Sequence, residues 1–222
     1  MRLVVFDVDG TLVDSQGDIV ASMTAAFDHV GLTAPTRDET LGIVGLSLPL
    51  AMMKLAPEAD DATRDAMVGA YKANYQMLRI KGGAASSPLY PGIREVIGTL
   101  GREDETLLAI ATGKSRRGLL ALLDNHGWQK TFVSLQVADD HPSKPHPSML
   151  MTALAETGVA VEQAVMIGDT TFDMEMAGAA RMAFIGVSWG YHAPATLTGA
   201  RQIVDQAGQL PAAIAEVIGE QA

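Results

Sequence analysis

Cysteine is absent from all 222 residues. That removes disulfide scaffolds, thiolate zinc sites and cysteine nucleophiles, and it fits a reducing cytoplasm. Basic residues are scarce: 16 Lys and Arg stand against 26 Asp and Glu, a formal charge of −10 at pH 7. Neither a nucleic acid nor an anionic membrane is therefore an expected partner. No apolar run approaches the ~18 residues of a membrane span. The opening stretch reaches an acid at Asp7, too early for a secretory leader, so cytoplasmic residence is the expectation. Enough remains for a packed core. Hydrophobic residues make up 48% and charged residues 19%, which argues against disorder, and a chain of this length buries roughly 70% of its unfolded surface.

Short apolar runs bounded by turn residues read as buried strands at Leu3–Val8, Leu107–Ala111, Phe132–Val137, Ala164–Ile167, Ala183–Val187 and, more weakly, Gln202–Val204. Helical patterns separate most of them. One ends at His126-Gly127, and another opens at Pro147 and closes at Gly158. The alternation predicts an α/β fold with a doubly wound parallel sheet and right-handed crossovers. One interruption breaks the rhythm. Residues 15–88 hold no convincing strand but carry helical stripes, Ile19, Met23, Phe27 and Val30 in one, and Ala66, Met67, Ala70, Tyr71, Met77 and Leu78 in another. A crossover needs only a dozen or so residues, so an all-α domain inserted after strand one is predicted, with a core formed by 1–14 and 89–222. Its flanks, Asp14-Ser15 and Gly82-Gly83 through Pro88, have loop chemistry suited to a hinge.

Polar residues then stand out at the strand ends. Strand one leads into Asp7-Val8-Asp9-Gly10-Thr11. Residues two apart in a strand share a face, so both carboxylates can point into the crevice where open α/β sheets bind ligands; a polar Asp-Gly turn is the plainer reading. Strand two leads into Thr112-Gly113-Lys114-Ser115, a hydroxyl and glycine before a helix that could cradle phosphate or merely cap it. A nucleotide P-loop fails, because Leu108 stands where its first glycine belongs. After strand three, Lys144 lies between Ser143 and Pro145 just ahead of a helix N-terminus, an unfavourable place for a cation. Strand four ends in Gly168-Asp169, followed by Asp173. Either acid could cap the next helix. Gathered beside Asp7 and Asp9, they would instead concentrate negative charge that a hard, oxygen-liganded cation such as Mg²⁺ relieves.

Taken together, Asp7-x-Asp9-Gly10-Thr11, Thr112-Gly113, Lys144-Pro145-x-Pro147 and Gly168-Asp169-x-x-x-Asp173 resemble the haloacid dehalogenase superfamily, and within it the phosphoglycolate phosphatase-like branch with a helical cap after the first motif. The resemblance implies a Mg²⁺-dependent phosphatase. Asp7 would be the nucleophile, Asp9 the acid and base, and Thr112, Gly113 and Lys144 the phosphoryl-binding groups, Lys144 also offsetting transition-state charge. Mg²⁺ would be held by Asp7, the backbone carbonyl of Asp9 and Asp169, with Asp173 behind them. Phosphoryl transfer asks for positioning and charge neutralisation, which this set supplies. Asp9 must carry a proton at the right moment, so proton-retaining neighbours are expected around it.

Single positions sort the alternatives. Family members that dehalogenate lack the second aspartate of the first motif, present here as Asp9. Phosphosugar mutases of the branch usually have a histidine where Ile19 stands, and a basic residue after the serine of Gly45-Leu46-Ser47. A non-catalytic receiver-like module would carry an adjacent acidic pair after strand one and would leave the helical insertion unexplained. The expected partner is a small phosphorylated metabolite, the expected oligomeric state monomer or dimer. The insertion holds six basic and eight acidic residues, which tolerates an anionic substrate without selecting one. Leu46, Leu48 and Met52 read as its core, while Trp189 and Tyr191 could equally pack or line the pocket rim. The turn from Gly45 to Pro49 is expected to face Asp7.

Overall fold

The computed structural model describes residues 1–219. Strands β1 (Arg2–Phe6), β2 (Thr106–Thr112), β3 (Ser134–Val137), β4 (Ala164–Gly168), β5 (Ala183–Val187) and β6 (Gln202–Val204) form one sheet in the order β3-β2-β1-β4-β5-β6. Every pairing is parallel. The side chains of β1 alternate. Val4 and Phe6 pack with α5 (Ile93–Leu100), α6 (Arg116–His126) and α9 (Leu210–Gly219), while Leu3 and Val5 pack with α7 (Ser148–Thr157) and α8 (Thr171–Ala179). Covering both faces is what makes these strands uniformly apolar.

The chain leaves β1 towards β2 on one side and returns to β4 on the other, so the strand order reverses beside β1. That reversal opens a crevice at the carboxyl ends of the strands. Register aligns the residues there: Phe6 lies level with Ile110 of β2 and Ile167 of β4, so Asp7, Thr112 and Asp169 emerge at one edge.

After β1 and before α5 the chain forms α1 (Gln16–His29), α2 (Arg37–Leu41), α3 (Leu48–Leu55) and α4 (Asp61–Gly82). Local chemistry starts them. Thr36 and Glu39 make a reciprocal capping box for α2, and the Asp60 carboxylate accepts from Thr63 N to cap α4. Met23, Phe27, Met52, Met67 and Tyr71 form a separate apolar cluster, so the segment packs around its own centre. The expected α4 stripe needs adjusting. Met67 and Tyr71 are buried, but Ala66 is exposed and Met77 is 54% exposed, because helical rotation carries these positions off the Met67–Tyr71–Tyr75 face. The chain enters and leaves the segment side by side. Asp14 N donates to Pro88 O at 2.9 Å and Tyr90 N to Leu12 O at 3.1 Å.

Smaller expectations resolve plainly. Gly127 and Gly158 close α6 and α7 in the left-handed conformation, as C-cap glycines do. Pro147 sits one residue before α7 rather than inside it. The third strand begins at Ser134, leaving Phe132 to pack edge-on against Trp128.

Candidate active site

Asp7 leaves β1 fully buried, and Lys144 Nζ donates to its Oδ1 at 2.6 Å. The same ammonium donates to Asp173 Oδ1 at 2.6 Å. Lys144 has no exposed side-chain surface; it turns away from the helix it precedes and bridges two carboxylates. Asp169 is fixed from two sides, Oδ1 accepting from the Thr11 hydroxyl and Oδ2 from Tyr191 N, both at 2.8 Å. Two glycines allow this packing. A Cβ on Gly10, which has φ +90°, would lie 2.2 Å from Asp169 Oδ2, and one on Gly190 would lie 2.1 Å from Asp169 Cβ. The N-cap of α8 is Thr170 rather than either acid; Asp173 completes a capping box from the third helical position, its Oδ2 accepting from Thr170 N at 3.1 Å and from the Thr170 hydroxyl at 2.7 Å. Capping and site roles coincide in one side chain.

Ligand atoms of Asp7, Asp169 and Asp173 lie within 4.8 Å of one another. Burial pushes the Asp7 carboxyl up to about 7, opposed by Lys144 and reinforced by Asp173. Burial likewise raises Asp169 well above the usual carboxylate range, with Asp7 and Asp173 adding to it. One buried ammonium cannot balance three carboxylates. An all-oxygen cluster with surplus negative charge fits Mg²⁺. Both oxygens of Asp169 and both of Asp173 already accept hydrogen bonds, Asp169 from neutral donors only and Asp173 from the Lys144 ammonium as well as Thr170.

Asp9 has different company from that expected. Lys114 Nζ donates to both its oxygens at 2.8 Å, and the Ser15 hydroxyl donates to Oδ1. It forms an ion pair with Lys114 while its charge also reaches Asp7. Lys114 also donates to the Tyr75 hydroxyl at 3.0 Å, and its ammonium lies 4.8 Å from the ring centroid. Burial pulls against the charge of Lys114, but Asp9 and then Tyr75 outweigh it and hold the ammonium above its ordinary pKa. Sequence reasoning met Lys114 only as the tail of a failed P-loop; its place two residues after Thr112 was the available signal. Tyr75 is not part of the expected stripe; its place four residues after Tyr71, on the same helix face, was the available signal.

Thr112 is buried and its hydroxyl accepts from Lys114 N at 3.2 Å, whereas Ser115 serves as the plain N-cap of α6. Gly113 is pressed against the helical segment, since a Cβ there would lie 2.7 Å from Gly45 O. Ser47 N donates to Ser143 Oγ at 2.8 Å, and Lys54 Nζ lies 4.9 Å from the Phe172 ring centroid. The turn at Gly45 therefore does face Asp7. A cavity of about 280 Å³ remains between them, with Asp7, Asp9, Thr112, Gly113 and Lys114 on the sheet side. Ile19, Leu46, Leu48 and Tyr75 close it from the helical side, so Leu46 and Leu48 form its wall as well as packing inward. Met52 stays in the segment's core. Trp189 and Tyr191 lie behind the site: Trp189 Nε1 donates to Thr11 O at 3.1 Å, and Tyr191 Oη accepts from Ser15 N at 3.0 Å. Among the described residues, no helix is long and apolar enough to cross a membrane.

The family model described as haloacid dehalogenase-like hydrolase matches residues 4–187. A relative from Dickeya dadantii named "Probable phosphatase IndB" is 36% identical, the alignment covering 86% of this chain and 82% of that protein. A phosphoglycolate phosphatase from Xanthomonas campestris is 30% identical over 86% of this chain and 84% of its own length. The tyrosine-protein kinase PtkA of Mycobacterium tuberculosis is 33% identical over 86% of this chain, but that match spans only 63% of the kinase. Among solved structures, a hydrolase from Pseudomonas syringae superposes with a TM-score of 0.85 at 22% identity, covering 97% of this chain and 99% of the other.

Proposed function

The chain belongs to the haloacid dehalogenase-like hydrolases, and from that premise we propose that it is a phosphatase acting on a small phosphorylated metabolite through an aspartyl-phosphate on Asp7. One observation carries the reading. A buried carboxylate at the end of β1 opens onto a cavity of about 280 Å³ between the sheet and the helices, with Lys144, Asp169 and Asp173 around it and Asp9 beside it.

In the first step an Asp7 oxygen attacks phosphorus as the bond to the ester oxygen breaks, and Asp9 gives that oxygen its proton. In the second, Asp9 takes a proton from water, which attacks phosphorus, releases inorganic phosphate and restores Asp7. Dividing the hydrolysis makes two easier displacements. The Thr112 hydroxyl and the Gly113 backbone orient the phosphoryl oxygens, and Lys144 offsets their charge. Mg²⁺ would be held by Asp7, the Asp9 carbonyl and Asp169, with Asp173 in support, and when bound it supplies charge neutralisation at the phosphoryl group.

Residues 15–88 act as a cap that excludes water and encloses the alcohol portion of the ester. Ile19 supports hydrolysis over phosphosugar transfer, because it gives the cavity wall an apolar group where family mutases carry a histidine. Phosphoglycolate and esters of similar size suit the enclosure, and a cytoplasmic location suits such substrates. Purified protein should turn over p-nitrophenyl phosphate in the presence of Mg²⁺, and a panel of phosphoglycolate, glycerol phosphates and hexose phosphates would rank the alcohol portion. No turnover of any ester would overturn the reading.

A further inference from the structure

We infer that Lys114 positions Asp9 for proton transfer, and that Tyr75 of the helical segment acts on Asp9 through it. The inference rests on the reading of Asp9 as acid and base. An ammonium has three donors, and the three partners of Lys114 are Asp9 Oδ1, Asp9 Oδ2 and the Tyr75 hydroxyl. Its hydrogen-bonding capacity is thus directed into the protein. The two equal 2.8 Å contacts fix the plane of a carboxylate that would otherwise rotate about its side-chain torsions.

Lys114 and its partners come from three separate elements: Asp9 from the loop after β1, Lys114 from the loop after β2 and Tyr75 from helix α4. Lys114 and Asp9 meet within the sheet half, and the Tyr75 link is added only while the helical segment rests on the sheet. Among the described residues Ser15 also holds Oδ1, whereas Oδ2 accepts from Lys114 alone. Oδ2 is accordingly the oxygen that turns towards the ester oxygen, while Oδ1 stays anchored. When Oδ2 gives its proton to the departing alkoxide, the nearby ammonium stabilises the carboxylate left behind. Arg79 and Arg117 also border the cavity, so charge attraction for the substrate does not depend on Lys114.

The test compares an ester that needs its leaving group protonated with one that does not. Steady-state kcat and KM would be measured for p-nitrophenyl phosphate and for the alkyl phosphate that turns over fastest in the panel above. Lys114→Met should lower kcat/KM for the alkyl ester roughly 10- to 100-fold, a share of the 10²–10⁴ that acid catalysis provides, and should lower it about threefold or less for the aryl ester. Lys114→Arg should restore most of the alkyl activity, since a guanidinium can also reach both oxygens. Tyr75→Phe should cost the alkyl ester about threefold in the wild-type background and nothing further beside Lys114→Met, the non-additivity expected of residues acting in series. Equal losses on both esters, or a raised KM with kcat unchanged, would make Lys114 a substrate-binding group and overturn the proposal. Additive losses would remove Tyr75 from it. Retained aryl turnover shows that each variant is folded. A wild-type protein inactive on both esters would instead sink the phosphatase reading.

Discussion

The sheet half of the molecule buries charge, and the helical segment buries apolar surface. At the strand ends Asp7, Asp169 and Asp173 are each 1% exposed or less, and so is Lys144. Within the helical segment the buried centre is Met23, Phe27, Met52 and Met67. Burying ions is costly and survives only where hydrogen bonds and counter-charges fix every group, so the sheet half must be rigid there. Apolar packing has no such directional demand. Contacts joining the halves include the polar pairs Ser47–Ser143, Tyr75–Lys114 and Ser15–Tyr191, and Tyr191 also packs on the small Ile19–Leu41–Val44 cluster. Each polar pair is worth about 0.5–1.5 kcal/mol net, small beside either cluster. The two connections, at Asp14 and Pro88, lie side by side and are hydrogen-bonded to each other. The difference implies a division of labour: chemistry in the sheet half, fit in the helices.

The largest effect should come from the sheet half. Asp7→Asn keeps the shape but removes the attacking carboxylate, and turnover of p-nitrophenyl phosphate should fall by about 10³-fold or more, as loss of a nucleophile typically does. Near wild-type rates in a variant confirmed free of deamidation would place the chemistry elsewhere. The helical segment should answer differently. Met67→Ala opens a cavity in its centre and should cost about 2–5 kcal/mol of stability, read from denaturant unfolding. Discrimination among the panel esters should narrow while the Mg²⁺ titration stays where it was. A displaced titration would break the division between the halves.

A smaller effect, on metal alone, tests how the sheet half divides its acids. Asp169→Ala should raise the Mg²⁺ concentration for half-maximal activity by at least 10- to 100-fold, the range seen when even a supporting group is lost. An unchanged midpoint would show that Asp169 is not a ligand.

The two halves were also unequally legible. Asp7, Lys144, Asp169 and Asp173 were visible because they interrupt or follow apolar runs, and only a small set of folds brings such strand ends together. The parallel sheet followed from the same runs, and only the ends of short strands such as β3 shifted. The helical contribution was harder to see. Tyr75 and Leu46 have the apolar spacing of ordinary core residues, and nothing local marks a side chain that packs inward and also walls a cavity. Lys114 was hidden for another reason. Its partner Asp9 is 105 positions away, and the pairing exists only because β1 and β2 are neighbours. The expected surroundings of Asp9 lack this lysine, because spacing along the chain does not show which loops meet across neighbouring strands.

The smallest effect sharpens the comparison through pH. Asp7 sits near 7 in the folded chain, against ~3.9 for an unfolded aspartate. Between these values the native state binds more protons than the unfolded state, so the stability contributed by the Asp7 proton is full below about pH 4 and is lost as pH rises through 7. Asp169 is raised too and acts in the same direction. Mg²⁺ competes for the same oxygens, because a carboxylate must lose its proton to serve as a ligand. Metal-free protein should therefore lose thermal stability from pH 5 to pH 8, and added Mg²⁺ should flatten that slope. At 100 times its Kd the ion contributes about 2.7 kcal/mol, or roughly 5–10 °C in Tm for a chain of this size. That rise should appear at pH 8 and shrink at pH 5, where protons hold the site. Met67→Ala should keep the whole pattern at a lower Tm, and Asp169→Ala, weakening the ion 10- to 100-fold, should cut the Mg²⁺ part to about 0.4–1.4 kcal/mol at the same ion concentration. Equal Mg²⁺ shifts at both pH values would mean that the buried carboxylates are not where the ion binds.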